Sequence, residues 1–209
     1  MKTLVLKFSL FIMICITLIT GLLYVSNILI DNNKSRILSI NQDTYLVFAG
    51  NSTVECSVDD RLINHSINIA QAGEAYLYSY AKIKALLEEN PQIKNVFISY
   101  SYADLLLEKE MTWLLDDYFM VEKVRNYHYL LDRQERAFLV KSNPAAYFNG
   151  VLKSVIVNFE IAARSFGKKG ASNSIPSFGG YKRLDRDKLS EDPGPETGKD
   201  ENVLQSKTQ

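Results

Sequence analysis

The 209 residues have room for one core domain of ordinary size, and 24 basic residues balance 24 acidic ones. Such a balance argues against a nucleic-acid surface, which needs an excess of cations. Two cysteines and two histidines leave no spacing that suits zinc, and Cys15 lies inside an apolar run away from Cys56, so an intradomain disulfide is not expected.

The N-terminus carries the plainest signal. Residues 1–7 hold Lys2 and Lys7 and read as a cytoplasmic N-terminus, after which residues 8–30 run for about 23 positions without a charge, enough to cross the roughly 30 Å hydrocarbon core as a helix. The basic residues ahead of it favour a cytoplasmic N-terminus and export of the chain beyond the run, although Lys34 and Arg36 on the far side weaken that bias. The run exceeds a usual signal-peptide core and no Ala-x-Ala site comes after it, so an uncleaved signal anchor is expected, with a cleaved signal peptide as its rival.

A polar connector, residues 31–43, leads into alternating short strands and helices. Residues 44–50 (TYLVFAG) form an apolar run of strand length, a second run falls at 67–70, and a third at 94–101 (KNVFISYS). Between the last two lies a helix in which Tyr76, Tyr80, Ile83 and Leu87 recur at helical spacing, closed by Asn90 before Pro91. Strand, helix, strand in succession predicts a parallel sheet with right-handed crossovers and helices on its faces. Leu107, Met111, Leu114 and Tyr118 mark a further helix over 103–120, and a shorter one is expected near 132–140. A long helix then starts at Asn143 as cap and Pro144 in the first turn, with Phe148, Leu152, Val155 and Phe159 expected to pack on the core. Gly167 and Gly170 end it. Residues 168–209 are rich in Gly, Ser, Lys and Asp and are expected to be mostly disordered.

In an open parallel sheet, chemistry belongs at the carboxyl ends of the strands. Three such ends carry small polar residues: Gly50-Asn51-Ser52, Ala72-Gly73-Glu74, and Ser99-Tyr100-Ser101 with Tyr102-Ala103-Asp104 after it. A serine just past a strand and at a helix start presents its hydroxyl to solvent beside backbone N–H groups able to hold an oxyanion, and Gly73 lets another N–H approach. The plainer alternative makes Ser52 a helix cap and Gly73 a turn residue. Glu74 is the acid most worth watching. His65 falls at the amino end of the second strand, opposite Ser52, and His128 sits among aromatics as a packing residue. Glu55, Asp59 and Asp60 read as first-turn and surface acids. Asn33, Asn51 and Asn64 head Asn-x-Ser/Thr sequons, which matter only in a glycosylating host.

Over residues 44–104 this arrangement resembles the SGNH (GDSL-type) hydrolases, whose blocks are Gly-Asp-Ser, a Gly, Gly-x-Asn and Asp-x-x-His. The resemblance implies a flavodoxin-like, three-layer parallel sheet over residues 44–167, incomplete here. It makes Ser52 the nucleophile and the N–H groups of Ser52 and Gly73 oxyanion donors; Asn51, at the position of the family's Asp, and Glu74, read as a site residue from its place beside Gly73, complete the expected oxyanion and binding set. It implies no cofactor and no metal. The apolar anchor makes a membrane the expected partner and places the domain in the periplasm or at the cell surface; the resemblance adds an acylated glycan or other ester as the expected substrate. The chain departs from the pattern in three ways: Asn51 replaces the Asp, Ser101-Tyr102-Ala103-Asp104 replaces Gly-x-Asn-Asp, and no Asp-x-x-His occurs anywhere. Without a base a serine hydroxyl is a weak nucleophile, so the expected activity is impaired or absent. Either a shortened reading frame or a non-catalytic relative accounts for the missing block, and a non-enzymatic anchored binding or export-accessory domain is the alternative.

Overall fold

A computed structural model describes residues 2–100, 107–167, 175 and 178–184. It is a mixed α/β structure, mostly helical, with one small parallel sheet. Helix α1 (Lys2–Asp31) contains a stretch, Leu4–Asp31, long and apolar enough to span a membrane. Within it the Thr17 and Thr20 hydroxyls donate to the Met13 and Ile16 carbonyls at 2.9 and 2.7 Å, so both polar groups are satisfied inside the helix, as an apolar surrounding requires.

The connector is not a free linker. It holds a short helix, α2 (Lys34–Leu38), and Ile37, Leu38 and Ile40 are buried in the core. Asn90 locks it down: its Oδ1 accepts from Ile40 N (3.0 Å) and its Nδ2 donates to the Leu38 and Leu86 carbonyls (both 2.9 Å).

Strands β1 (Leu46–Ala49), β2 (Ser66–Asn68) and β3 (Asn95–Ile98) are all parallel and lie in the order β2-β1-β3. The expected parallel sheet is therefore present, with each strand shorter than its apolar run. Between β1 and β2 come α3 (Ser52–Ser57) and a single 3-10 turn at Asp60–Leu62. Helix α4 (Tyr76–Glu89) joins β2 to β3.

Of the expected helix over 103–120, residues 103–106 lie outside the described residues, as do Ser101 to Asp104 of the third polar strand end, and the described remainder is two helices, α5 (Leu107–Leu115) and α6 (Asp117–Tyr127). Asp116 divides them because its carboxylate accepts from the Tyr118 and Phe119 N–H groups at 2.9 and 3.2 Å, a cap that a through-running helix would forbid. Helix α7 (Arg133–Ser142) opens on a reciprocal capping box of Asp132 and Glu135, and Lys84 ties α4 to it through both acids (2.9 and 3.0 Å). Helix α8 (Pro144–Gly167) begins as expected, with Asn143 Oδ1 accepting from Ala146 N at 3.2 Å.

Two helix faces differ from expectation. On α4 the buried positions are Tyr78, Ser79, Ala81, Lys82, Ala85 and Leu86, while Tyr80 and Leu87 face solvent. On α8 the buried positions are Ala146, Tyr147, Gly150, Val151, Ser154, Asn158 and Ala162. Phe148, Leu152 and Phe159, expected in the core, are exposed. The reason lies at Gly150, where a Cβ would come within 2.7 Å of Val124 and 3.1 Å of the Val121 carbonyl. Helices α6 and α8 approach too closely there for large side chains, so small residues at four-residue intervals take the inner face.

Of residues 168–209, those described are not loose. Phe178 is fully buried, Gly180 N donates to the Ala70 carbonyl (3.1 Å) and Lys182 N to the Glu55 carbonyl (2.8 Å). This strap crosses just past the carboxyl end of β2, an edge strand, and takes up the Ala70 carbonyl that would otherwise stay open. Gly179 has φ +94, and a Cβ there would run into the Ala70 carbonyl, so only glycine lets the strap lie this close. The rest of the segment lies outside the described residues.

Candidate functional site

The candidate site is the carboxyl edge of β1 and β2, neighbours in the sheet. Where β1 ends, Gln71 N donates to the Gly50 carbonyl (3.1 Å), which sets the loop after β2 beside the start of α3. Asn51 is the N-cap of α3: its side-chain oxygen accepts from Thr53 N at 3.0 Å. Ser52 is thus the first helical residue and not the cap, and it is exposed. Its hydroxyl sits at the positive end of a short helix, where a nucleophile's developing charge would be favoured.

Gly73 occupies a turn with φ +61, and a Cβ there would meet the Phe119 ring at 2.9 Å. A left-handed conformation and a close aromatic neighbour both demand glycine. The loop is tied to α3 by Ala72 N donating to Glu55 Oε2 at 3.0 Å. Asp60 is committed as well, its Oδ2 accepting from Asn68 N at 2.8 Å, and Asp59 pairs with Arg61 at 2.7 Å.

Glu74 turns inward. Its carboxylate lies 2.7 Å from Lys82 Nζ with both side chains wholly buried, and it accepts from the Ser79 hydroxyl at 2.7 Å. Lys82 also donates to the Ile69 carbonyl (2.5 Å) and the Phe178 carbonyl (3.0 Å), so all three ammonium protons are placed. Around this pair stand Tyr127, whose hydroxyl donates to Gln71 Oε1 (2.5 Å), and Lys123, which donates to Gln71 Oε1 (2.9 Å) and the Ala72 carbonyl (3.2 Å). Burial pushes the Lys82 ammonium below its ordinary range, with Glu74 opposing. Burial likewise brings Lys123 down to about 8 and holds the Tyr127 phenol well above its ordinary value.

Pattern reading passes over this cluster because a lysine counts as a solvent residue. One signal is present: Lys82 lies four and three positions from Tyr78 and Ala85, squarely in an apolar stripe, and a lysine there needs an acid within reach.

Neither histidine reaches Ser52. The His65 carbonyl accepts from Tyr45 N at 3.0 Å, which fixes it at the opposite end of the sheet, about 16 Å from the carboxyl edge at strand rise. His128 is buried at the end of α6, its ring 6.1 Å from Tyr147, with Nδ1 unpartnered among the described residues. Burial pushes it down to about 4, so it is neutral at pH 7.

No family model, curated protein or solved structure matches this chain.

Proposed function

We propose that this chain is a membrane-anchored, extracytoplasmic domain of the SGNH-hydrolase kind, with an ancestral ester or acyl hydrolysis on envelope or exported glycans that is impaired or lost here. The observation that carries it is the pairing of adjacent strand ends. An exposed serine opens a helix after the central strand β1, and a glycine turn comes after its neighbour β2. The order β2-β1-β3 supports a flavodoxin-like sheet, in which ligands bind outside the carboxyl ends where the chain reverses direction across the sheet. The apolar α1 supports the anchor.

Hydrolysis needs a base within hydrogen-bond reach of the hydroxyl. Loss of the histidine from a serine hydrolase costs on the order of a million-fold in kcat. A fluorophosphonate probe applied to the detergent-solubilised full chain tests the reading. Slow labelling that vanishes on heat unfolding and in Ser52→Ala supports a surviving nucleophile; absence of labelling on folded protein removes the hydrolytic half.

A non-enzymatic binding or export-accessory role is the second reading, and the Glu74–Lys82 pair favours it. Glu74, the acid beside the Gly73 turn, is consumed by a buried lysine, leaving it unable to orient or accept a proton. Saturable retention of an acylated envelope glycan without turnover, undiminished in Ser52→Ala, would favour this role over the first.

A further inference from the structure

Helix α1 and the globular part form one packed body. Ile30 in its last turn is fully buried in the core, Ser26 one turn earlier is equally buried, and Leu23 packs against the core. The 28 residues from Leu4 to Asp31 extend about 42 Å, about 12 Å beyond the hydrocarbon thickness. With Lys7 marking the near side, the turns that carry Ser26 and Ile30 fall at headgroup level, and α8 packs on α1.

Helix α8 has three faces. Its small residues face inward, as described. A second face, a sector of about 80° at 100° per residue, carries Phe148, Leu152, Ile156, Phe159 and Phe166, which are between 37% and 66% exposed. Beside it runs a third face with Lys153, Glu160 and Arg164, all exposed, the last two paired at 3.8 Å.

We propose that the second face of α8 rests in the headgroup–acyl boundary of the bilayer crossed by α1, making α8 an interfacial helix that holds the domain against the membrane. The proposal rests on the anchored reading of α1. Three observations select lipid over a second copy of the chain. The stripe belongs to a helix already packed on the apolar α1. Lys153 and Arg164 border it, where anionic headgroups attract cations. Half-exposed, its five large side chains offer on the order of 500 Å², short of the roughly 800 Å² each partner buries in a stable dimer.

The test places single indoles in the full chain, reconstituted in vesicles of phosphatidylcholine and phosphatidylglycerol, on a Trp113→Phe background. Ile156→Trp probes the stripe, Lys153→Trp the charged face, and Ile14→Trp the anchor. Lipids brominated at shallow acyl positions should quench the indole at 156 at least about twofold while iodide leaves it untouched, and the reverse should hold at 153. Iodide quenching at 156 without bromine quenching means a water-facing stripe and overturns the proposal. Protection from both quenchers means protein cover, such as a second copy, and overturns it equally. If the indole at 14 escapes bromine the anchored reading fails and the stripe proposal falls with it; if 14 is quenched and 156 is not, only the stripe proposal fails. Should Trp113→Phe not fold, the same readings are taken with Trp113 retained, as differences from the parent chain.

Discussion

The ends of β1 and β2 lie side by side and take opposite designs. After β1 the chain turns outward, and Ser52 is exposed at the start of α3 behind the Asn51 cap. After β2 it turns inward, and Glu74, Ser79, Lys82, Tyr127, Gln71 and Lys123 satisfy one another out of water. A polar group is free for chemistry only where the fold does not need it for its own closure. By that measure the β1 end is available and the β2 end is already committed.

The largest expected effect is at the committed end. Lys82→Met leaves the buried Glu74 carboxylate with only the more distant Lys123, at 4.0 Å, as cation and should cost about 3–5 kcal/mol in denaturant unfolding of the detergent-solubilised chain, whereas Lys82→Met with Glu74→Leu should recover much of that loss. A double variant as unstable as the single would show that the cluster is not one charge-balanced unit. Next comes pH. The Lys123 ammonium titrates at about 8 in the fold against 10.5 free, so between those values the unfolded chain holds the extra proton and stability rises with pH. From pH 8 to 10 the gain from Lys123 should approach about 2 kcal/mol, shrink in Lys123→Met to what the buried Lys82, also held below its ordinary range, supplies, and give way above 10 to loss as unfolded tyrosines ionise while the buried Tyr127 resists ionisation. Gly73→Ala should cost about 1–2 kcal/mol, since φ is positive and Phe119 must move; a neutral result in thermal melts would mean the turn is not fixed. Smallest is Ser52→Ala, within about 0.5 kcal/mol of the parent, with any probe labelling abolished. A larger destabilisation would place Ser52 among the structural residues and dissolve the contrast.

Much of this is legible in the amino-acid sequence. The apolar N-terminal run, the three strand positions and their parallel pairing come from run length and the helix-length segments between them, and Ser52 and Gly73 fall where strand ends put them. The orientation of α4 and α8 is not legible, for two physical reasons. On α4 a lysine takes a core position because an acid eight residues earlier neutralises it, and hydropathy assigns lysine outward. On α8 the inner face is set by how closely Gly150 lets α6 approach, so small residues point inward and the large apolar ones remain outside. The connector looks like a spacer because Asn and Asp dominate it, yet Ile37, Leu38 and Ile40 hold it to the core.

One contact in the buried cluster bears on how the chain is made. Lys82 takes the carbonyl of Phe178, 96 positions downstream, and the Phe178 ring is fully enclosed. During synthesis from the N-terminus, everything through α8 is made before that acceptor exists. Until it arrives the ammonium is one partner short in a dry interior, a deficit of about 1–3 kcal/mol. Closure of the interior is therefore tied to the strap at residues 178–184, and a ribosome-bound chain lacking the strap should hold a domain still open at its edge.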